Sequence, residues 1–217
     1  MAAVTLSRSR GVVFLAAVAA LALTLTACSS SGGSTPKSPT SGPTQQFVDH
    51  SGALVVPRAL HVDGGLGQDQ ARLIVRVAQT LYTFWNTGKK DYLLHADAPS
   101  FRDNTLPAGR KQGRDGALAA SAGFRAALPD LTCELADLYV TGDTFTARLV
   151  FRGHFTGRYD GVPGCGQAIS FNAIDIQHVG NGTTITEDWH IEDNLSFLTQ
   201  AALVQITGGS SGPANGH

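Results

Sequence analysis

Residues 129–153 read PDLTCELADLYVTGDTFTARLVFRG, and a change of hydrophobic period at their start decides the fold. Before Pro129 the apolar residues recur at helical spacing, whereas after it they alternate with polar residues, as in half-buried strands. Thr141-Gly142-Asp143 is a turn signal between two such runs. The sequence therefore predicts a hairpin whose inward-facing residues are Leu131, Cys133, Leu135, Phe145, Ala147, Leu149 and Phe151.

Downstream of this hairpin the strand pattern continues. Residues 153–166 are rich in glycine and must bend, and Gly180-Asn181-Gly182 is a second hairpin turn. The apolar parity of residues 169–179 slips at Asn172-Ala173, which predicts a strand with a bulge there. A last strand over residues 185–193 and a short helix over residues 195–203 complete the pattern.

Upstream of Pro129 the sequence predicts helices. Apolar residues at helical spacing predict one over residues 68–87, followed by a short helix over 91–95 and an alanine-rich helix over 115–128. Helices followed by hairpin-linked strands are typical of an α+β fold with an antiparallel sheet. A curved sheet wrapped around these helices can hold an apolar cavity that is open at one end.

The first residues have the pattern of an export signal. Arg8 and Arg10 precede an uncharged apolar run over residues 11–26, which is short for a membrane span. Its end, Leu25-Thr26-Ala27-Cys28, resembles a bacterial lipoprotein signal. The resemblance implies cleavage before Cys28, diacylation (palmitate) of that cysteine and a lipid anchor on the outer side of the cell membrane. An ordinary signal peptide, or an uncleaved anchor with an incidental cysteine, is the alternative.

The composition divides the chain into five segments. Of its 217 residues, 42% are hydrophobic and 15% charged, and the formal net charge of -1 without a basic run disfavours a nucleic-acid partner. The expected segments are a signal peptide (1–27), a flexible Ser/Gly/Pro tether (28–46), an N-terminal extension of unknown structure (47–66), one domain (67–206) and a disordered tail (207–217). Within the extension, residues 53–56 are a candidate edge strand that the sequence does not place.

Two cysteines remain in the expected domain, Cys133 and Cys165. In an oxidising compartment two such cysteines usually pair, so a disulfide is predicted. The alternative is two separate thiols. A catalytic thiol is disfavoured because neither cysteine has an evident base partner.

From about Leu73 to Leu203 the chain resembles the SnoaL-like polyketide cyclases, also called ester cyclases. The resemblance depends on the order of short pieces over this length, since none of them is specific alone. They are Phe84-Trp85-Asn86-Thr87-Gly88, Gly113-Arg114-Asp115-Gly116, Pro129-Asp130-Leu131, Phe151-Arg152-Gly153, Thr156-Gly157, Gly161-Val162-Pro163, Ile174-Asp175-Ile176 and Glu187-Asp188-Trp189, with Asp193 four residues beyond the tryptophan.

The resemblance implies the cone fold that these cyclases share with nuclear transport factor 2 and ketosteroid isomerase. It also implies cofactor-free chemistry, with Asp193 as the general acid/base of an intramolecular aldol closure. Two polar family positions are altered. Phe155 stands where the family often has a histidine, with His154 one residue early, and Asn104 stands where a second histidine is common.

The last predicted strand has one apolar face that carries two carboxylates. Ile185, Glu187, Trp189, Ile191 and Asp193 share this face, because side chains alternate along a strand. If the face lines the cavity, desolvation raises the pKa of Glu187 and Asp193 towards that of a general base. Alternatively, Glu187 serves only the fold and Asp193 caps the following helix. Thr186, Asp188, His190 and Glu192 lie on the opposite face.

Other side chains are candidates for ligand contact. Asp175 faces away from its two isoleucine neighbours, and a structural pair with Arg148 or Arg152 is its alternative role. Tyr82 and Trp85 could line the cavity from the first helix, and plain core residues are their alternative role. The full set of predicted ligand-binding residues is Trp189, Tyr82, Trp85, Phe155 and Asp175.

No metal ligand motif of the usual kind and no Gly-x-Ser-x-Gly elbow occurs, so neither a metal site nor a serine nucleophile is predicted. Three functions remain open. The first is an enzyme acting on a small apolar carbonyl compound, with Asp193 as acid/base. The second is a surface protein that binds a lipid-like or small apolar ligand without changing it. The third is an interaction domain that forms a homodimer through its sheet.

Overall fold

The computed structural model describes residues 46–180 and 182–205. The predicted signal peptide, Cys28, nearly all of the tether and the tail lie outside these residues. Within them the chain forms four helices: α1 (Gln68–Thr87), α2 (Lys90–Ala96), α3 (Gly113–Ala127) and α4 (Asn194–Gln200). The strands are β1 (Ala59–Val62), β2 (Asp97–Asp103), β3 (Thr132–Thr141), β4 (Thr144–Phe155), β5 (Arg158–Tyr159), β6 (Val162–Pro163), β7 (Gln167–Gly180) and β8 (Thr184–Glu192).

The predicted α+β fold is confirmed, as helices and a six-stranded sheet that is not a closed barrel. The sheet has the order β1-β3-β4-β7-β8-β2, and β5 and β6 form a separate small hairpin. The four long strands pair antiparallel, whereas the short strands β1 and β2 pair parallel to β3 and β8 at the two edges. No described helix is long and apolar enough to cross a membrane.

Two edge strands were not predicted correctly. The sequence predicts no strand between the helices over 91–95 and 115–128, but β2 lies there and runs through Pro99, because an edge strand tolerates a proline that donates no ladder hydrogen bond. In the extension the strand is β1, not residues 53–56. Residues 49–55 are held to α1 by the buried side chain of Gln79, which accepts from the Asp49 N–H and donates to the Asp49 and Val55 carbonyls, each at 2.9 Å.

The predicted bulge at Asn172-Ala173 is wrong. β7 pairs with β4 without interruption from His178 to Gln167, and its alternate residues are buried throughout. The apparent slip arises because Ile174 and Ile176 lie on the outer face, where they are 43% and 42% exposed. The bulge lies in β8, since His178 pairs with Glu187 whereas Val179 pairs with Ile185.

The predicted disulfide is also wrong: the structure shows Cys133 and Cys165 as free thiols. Cys133 lies on β3 and is 3% exposed in the hydrophobic core, and its N–H donates to the Asn86 side chain at 2.9 Å. Burial raises the pKa of the Cys133 thiol well above its usual range. Cys165 lies exposed in the loop between β6 and β7.

Candidate active site

A cavity lies between the helices and the inner face of the sheet. The cavity is narrow, with a volume of about 60 Å³, or about 780 Å³ when the solvent-filled space at its open mouth is included. One part of its wall is apolar and largely aromatic, and the other end is polar. The apolar wall includes Leu81, Trp85, Phe101, Phe124, Phe151 and Phe171, and the polar end includes Asp97, Asp103, Asp175, Gln177, Asp188 and His190.

Asp175 places a carboxyl group on the cavity wall from the middle of β7. Its residue is 6% exposed, and the Tyr82 hydroxyl of α1 donates a hydrogen bond to its Oδ2 at 3.1 Å. Burial raises the pKa of Asp175 to about 6, although the nearby His190 and the Tyr82 hydrogen bond oppose this effect. The alternative structural pairing is wrong, because Arg148 pairs with Asp137 and Arg152 pairs with Glu134.

The bulge in β8 decides which face of that strand reaches the cavity. Ile185, before the bulge, is fully buried. The extra residue, Thr186, reverses the alternation, so that Asp188, His190 and Glu192 face inwards and line the cavity. The prediction that the face with Glu187 and Trp189 lines the cavity is therefore wrong.

His190 is the centre of an ionic cluster at the polar end. Its Nδ1 lies 3.8 Å from Oδ2 of Asp103 and 3.8 Å from Oδ2 of Asp188, and its Nε2 lies 3.5 Å from Oε1 of Glu192. The interaction with Glu192 raises the pKa of His190 to about 9, against the opposing effect of burial. Burial alone would raise the pKa of Glu192, but His190 and Arg110 outweigh it and lower that pKa.

Asp188 also has a carboxyl neighbour on the adjacent edge strand. It is paired with Asp103 in the register of β8 and β2, and Gln177 donates to its Oδ2 at 3.3 Å. Burial, followed by the charge of Asp103, raises the pKa of Asp188 to about 7. Asp103, Asp188 and His190 each offer one ligand atom, and these atoms lie within 4.8 Å of one another.

Asp97 is the most deeply buried acid of the cavity. It is 1% exposed, and neither carboxylate oxygen has a hydrogen-bond partner within the described structure. Burial, followed by the charge of Asp188, raises the pKa of Asp97 well above its usual range. Arg114 binds the backbone carbonyl of Asp97 and not its carboxylate.

The structure places the two predicted catalytic carboxylates outside the cavity. Asp193 is exposed and caps α4, accepting from the Ser196 N–H at 3.0 Å and the Ser196 hydroxyl at 2.6 Å. These bonds lower the pKa of Asp193, which confirms the alternative reading as a helix cap. Glu187 accepts from the Asn104 side chain at 2.9 Å and is not among the lining residues.

Some of the predicted ligand-binding residues line the cavity and others do not. Trp85 and Asp175 line the cavity, whereas Tyr82 lies behind the lining and donates a hydrogen bond to Asp175. Trp189 is 41% exposed on the outer face, and Phe155 is fully buried in the core away from the lining. His154 does not replace the altered family histidine, because it pairs with Asp130 at the surface at 2.6 Å.

Sequence reasoning missed the acids and the histidine of the polar end: Asp97, Asp103, Asp188 and His190. A usable signal was present, since Asp188, His190 and Glu192 alternate along a strand whose other face is apolar. An apolar face does not by itself identify the cavity side when the cavity has a polar end.

A largely buried acid–imidazole cluster beside an aromatic wall, in a narrow cavity of an α+β domain, has the features of a small-molecule site. The SnoaL-like polyketide cyclase family matches residues 75–201, and the chain belongs to this family.

Solved structures agree with this assignment. A candidate polyketide cyclase from Bacillus cereus is 42% identical, with a TM-score of 0.64 over 70% of this chain and 95% of its own. TsrD from Streptomyces laurentii is 26% identical, with a TM-score of 0.55 over 64% of this chain and 99% of its own. IdmH, a candidate polyketide cyclase from Streptomyces antibioticus, is 28% identical, with a TM-score of 0.53 over 59% and 98%. No curated protein matches the chain.

Proposed function

We propose that this chain is an exported enzyme that binds a small apolar carbonyl compound in the cavity and removes a proton from the carbon beside the carbonyl group. The observation that carries the proposal is Asp175, a buried carboxyl group at the junction of the aromatic wall and the polar end. A base at this position faces bound substrate while most water is excluded, as proton abstraction requires.

Asp175 is assigned the role of general base in place of Asp193. The Tyr82 hydroxyl donates to Oδ2 of Asp175 and so fixes the orientation of the carboxylate that would take the proton. A pKa near 6 keeps the carboxylate available at neutral pH and basic enough to accept a proton. The family relationship supports this class of reaction, since an aldol closure begins with the same proton abstraction.

Exchange of hydrogen for deuterium tests the proposal without knowledge of the natural substrate. The full chain is incubated in D₂O with a panel of apolar ketones and β-keto esters, and exchange beside the carbonyl is followed by NMR. We expect exchange above the buffer rate for at least one compound, with a loss of about 10²–10⁴-fold in Asp175→Asn, since a general base contributes this much.

Asp193→Asn is the matched control, because it changes the same type of group at the exposed N-cap of α4 and should leave the exchange rate unchanged. Equal rates in the wild type and Asp175→Asn would contradict the assignment of the base. A compound that binds without any exchange would favour the alternative function, passive binding of an apolar ligand.

We also infer export and lipidation at Cys28, for which the basic start and the Leu-Thr-Ala-Cys ending provide the support. Metabolic labelling with palmitate in a bacterial host should label the wild-type chain and not Cys28→Ala. Labelling that persists in the variant would contradict the inference.

A homodimer through the outer face of the sheet remains a further proposal. Ile174 is the register partner of Ile191 and Ile176 that of Trp189, so these four exposed apolar side chains form one patch. Light scattering should show a dimer that Ile191→Glu converts to a monomer. A monomeric wild type would contradict the proposal.

A further inference from the structure

The cluster of Asp103, Asp188 and His190 has the arrangement of a metal site. Two carboxylate oxygens and one imidazole nitrogen from β2 and β8 converge within 4.8 Å, and the nitrogen is equidistant, at 3.8 Å, from both oxygens. The separation of ligand atoms around a first-row divalent ion is about 3–4.5 Å, given metal–ligand distances of about 2.0–2.2 Å. Small side-chain movements therefore suffice to close the site.

Each of the three groups is held in place by a neighbouring residue. Oδ1 of Asp103 accepts from the N–H and the hydroxyl of Thr105 at 2.8 and 3.1 Å, which leaves Oδ2 to face the histidine. Gln177 donates to Oδ2 of Asp188, the oxygen that faces His190, and holds it in place, while Glu192 lies beside the remote nitrogen of His190. A carboxylate behind the remote nitrogen of a ligating histidine is a recurring feature of metal sites.

Unpartnered acids beside the cluster provide an independent observation. Within the described residues, Oδ1 of Asp188 and both oxygens of Asp97 are buried without a hydrogen-bond partner, and Asp97 is 1% exposed. Buried polar groups are rarely left unsatisfied, and such groups call for a bound ion, water or ligand. Asp97 and Asp188 line the same cavity.

We propose that Asp103, Asp188 and His190 bind a divalent transition-metal ion at the polar end of the cavity. Mixed carboxylate and imidazole ligands suit Zn²⁺ or Mn²⁺ better than Mg²⁺, which prefers oxygen ligands and water. Three protein ligands leave a coordination position open towards the cavity, as in catalytic sites.

The site would lie beside the proposed base, because His190 is the cross-strand partner of Asp175. A cation there would supply Lewis-acid stabilisation of a substrate oxygen. That role rests on the proposed function, whereas the binding of the ion does not, and the two are tested separately.

The test is titration of the full chain, stripped with chelator and held in detergent, with ZnCl₂ or MnCl₂ in a calorimeter without substrate. We expect about one ion per chain, from a single set of three ligands. His190→Gln and Asp188→Asn should abolish binding, and Glu192→Gln should weaken it about 10–100-fold, as removal of an orienting group does. CaCl₂, the control cation, should bind much more weakly because it prefers oxygen ligands.

His154→Gln is the matched control, since it removes an exposed histidine that also pairs with a carboxylate. It should bind the ion as the wild type does. As a second measurement, ZnCl₂ should raise the Tm of the wild type. It should raise the Tm of Asp103→Ala and of His190→Gln less, or not at all. Absence of binding, or binding that His190→Gln leaves intact, would overturn the metal site without affecting the deuterium-exchange test of Asp175.

Discussion

A strand that packs on a hydrophobic core usually has an apolar inner face and a polar outer face, and most of β8 has the reverse. Beyond the bulge, the inner face carries Asp188, His190 and Glu192, whereas the outer face carries Trp189 and Ile191, 41% and 75% exposed. Before the bulge, the inner residue Ile185 is fully buried. The strand thus contributes to the core with one end and to the polar end of the cavity with the other, and one extra residue separates the two parts.

The largest expected effect compares two isoleucines of this strand. Ile185→Ala should lower the free energy of unfolding by about 2–5 kcal/mol, because it leaves a cavity in the core. Ile191→Ala should change it by less than about 0.5 kcal/mol, because that side chain is 75% exposed. Chemical denaturation of both variants measures the difference. Similar losses in both would mean that the outer face is as buried as the core.

The bulge itself is tested at Gly180, where the β7–β8 hairpin turns. A Cβ at this position would lie 2.3 Å from Cγ2 of Thr186, the extra residue of the bulge. Gly180→Ala should therefore cost about 1–3 kcal/mol of unfolding free energy through overcrowding. Thr186→Ala removes the clashing atoms and should recover part of this loss in the double variant, which a double-mutant cycle measures.

Gly123→Ala is the control for the glycine substitution. Gly123 lies in α3 with no atom near the position of an added Cβ, so the change should stabilise the protein by about 0.5–1 kcal/mol through helix propensity. If the losses of unfolding free energy in Gly180→Ala and Thr186→Ala simply add in the double variant, the two residues are not in contact. That result would also contradict the placement of the bulge.

The extent to which the sequence predicts this structure follows from the kind of signal each element leaves. α1 and the β3–β4 hairpin are strongly periodic, and the structure confirms both. β1 and β2 are short edge strands with no such period, and they are recognisable only through the neighbours that they pair with. The disulfide prediction used the compartment alone, whereas the direction of the Cys133 side chain follows from its position in β3.

The prediction of the candidate site depended on one assignment, namely which alternate side chains of the last strand face inwards. Tyr82, Trp85 and Asp175 were found because α1 and β7 are regular, and a regular element keeps its faces in order. Asp188 and His190 were placed on the wrong face because a one-residue bulge reverses every side chain beyond it. Asp103 comes from a separate edge strand, so no local motif links it to the residues that it meets.

The smallest expected effect concerns Asp193. This residue follows β8 and is exposed, whereas the acids on the inner face of β8 are largely buried. Asp193→Ala should reduce the free energy of unfolding slightly, because the α4 cap is lost, whereas Asp193→Asn should preserve it, since asparagine is also a good cap.

The pH dependence of this small effect has a defined sign. The bonds from Ser196 lower the pKa of Asp193, so its contribution to stability is present above the unfolded pKa of about 3.9 and is lost as the pH falls through the lower folded value. The difference between the wild type and Asp193→Ala should therefore shrink below about pH 4. Urea denaturation at pH 7 and pH 3 measures it. A difference that grows in acid would place Asp193 among the acids with raised pKa, inside the cavity where the sequence first located it.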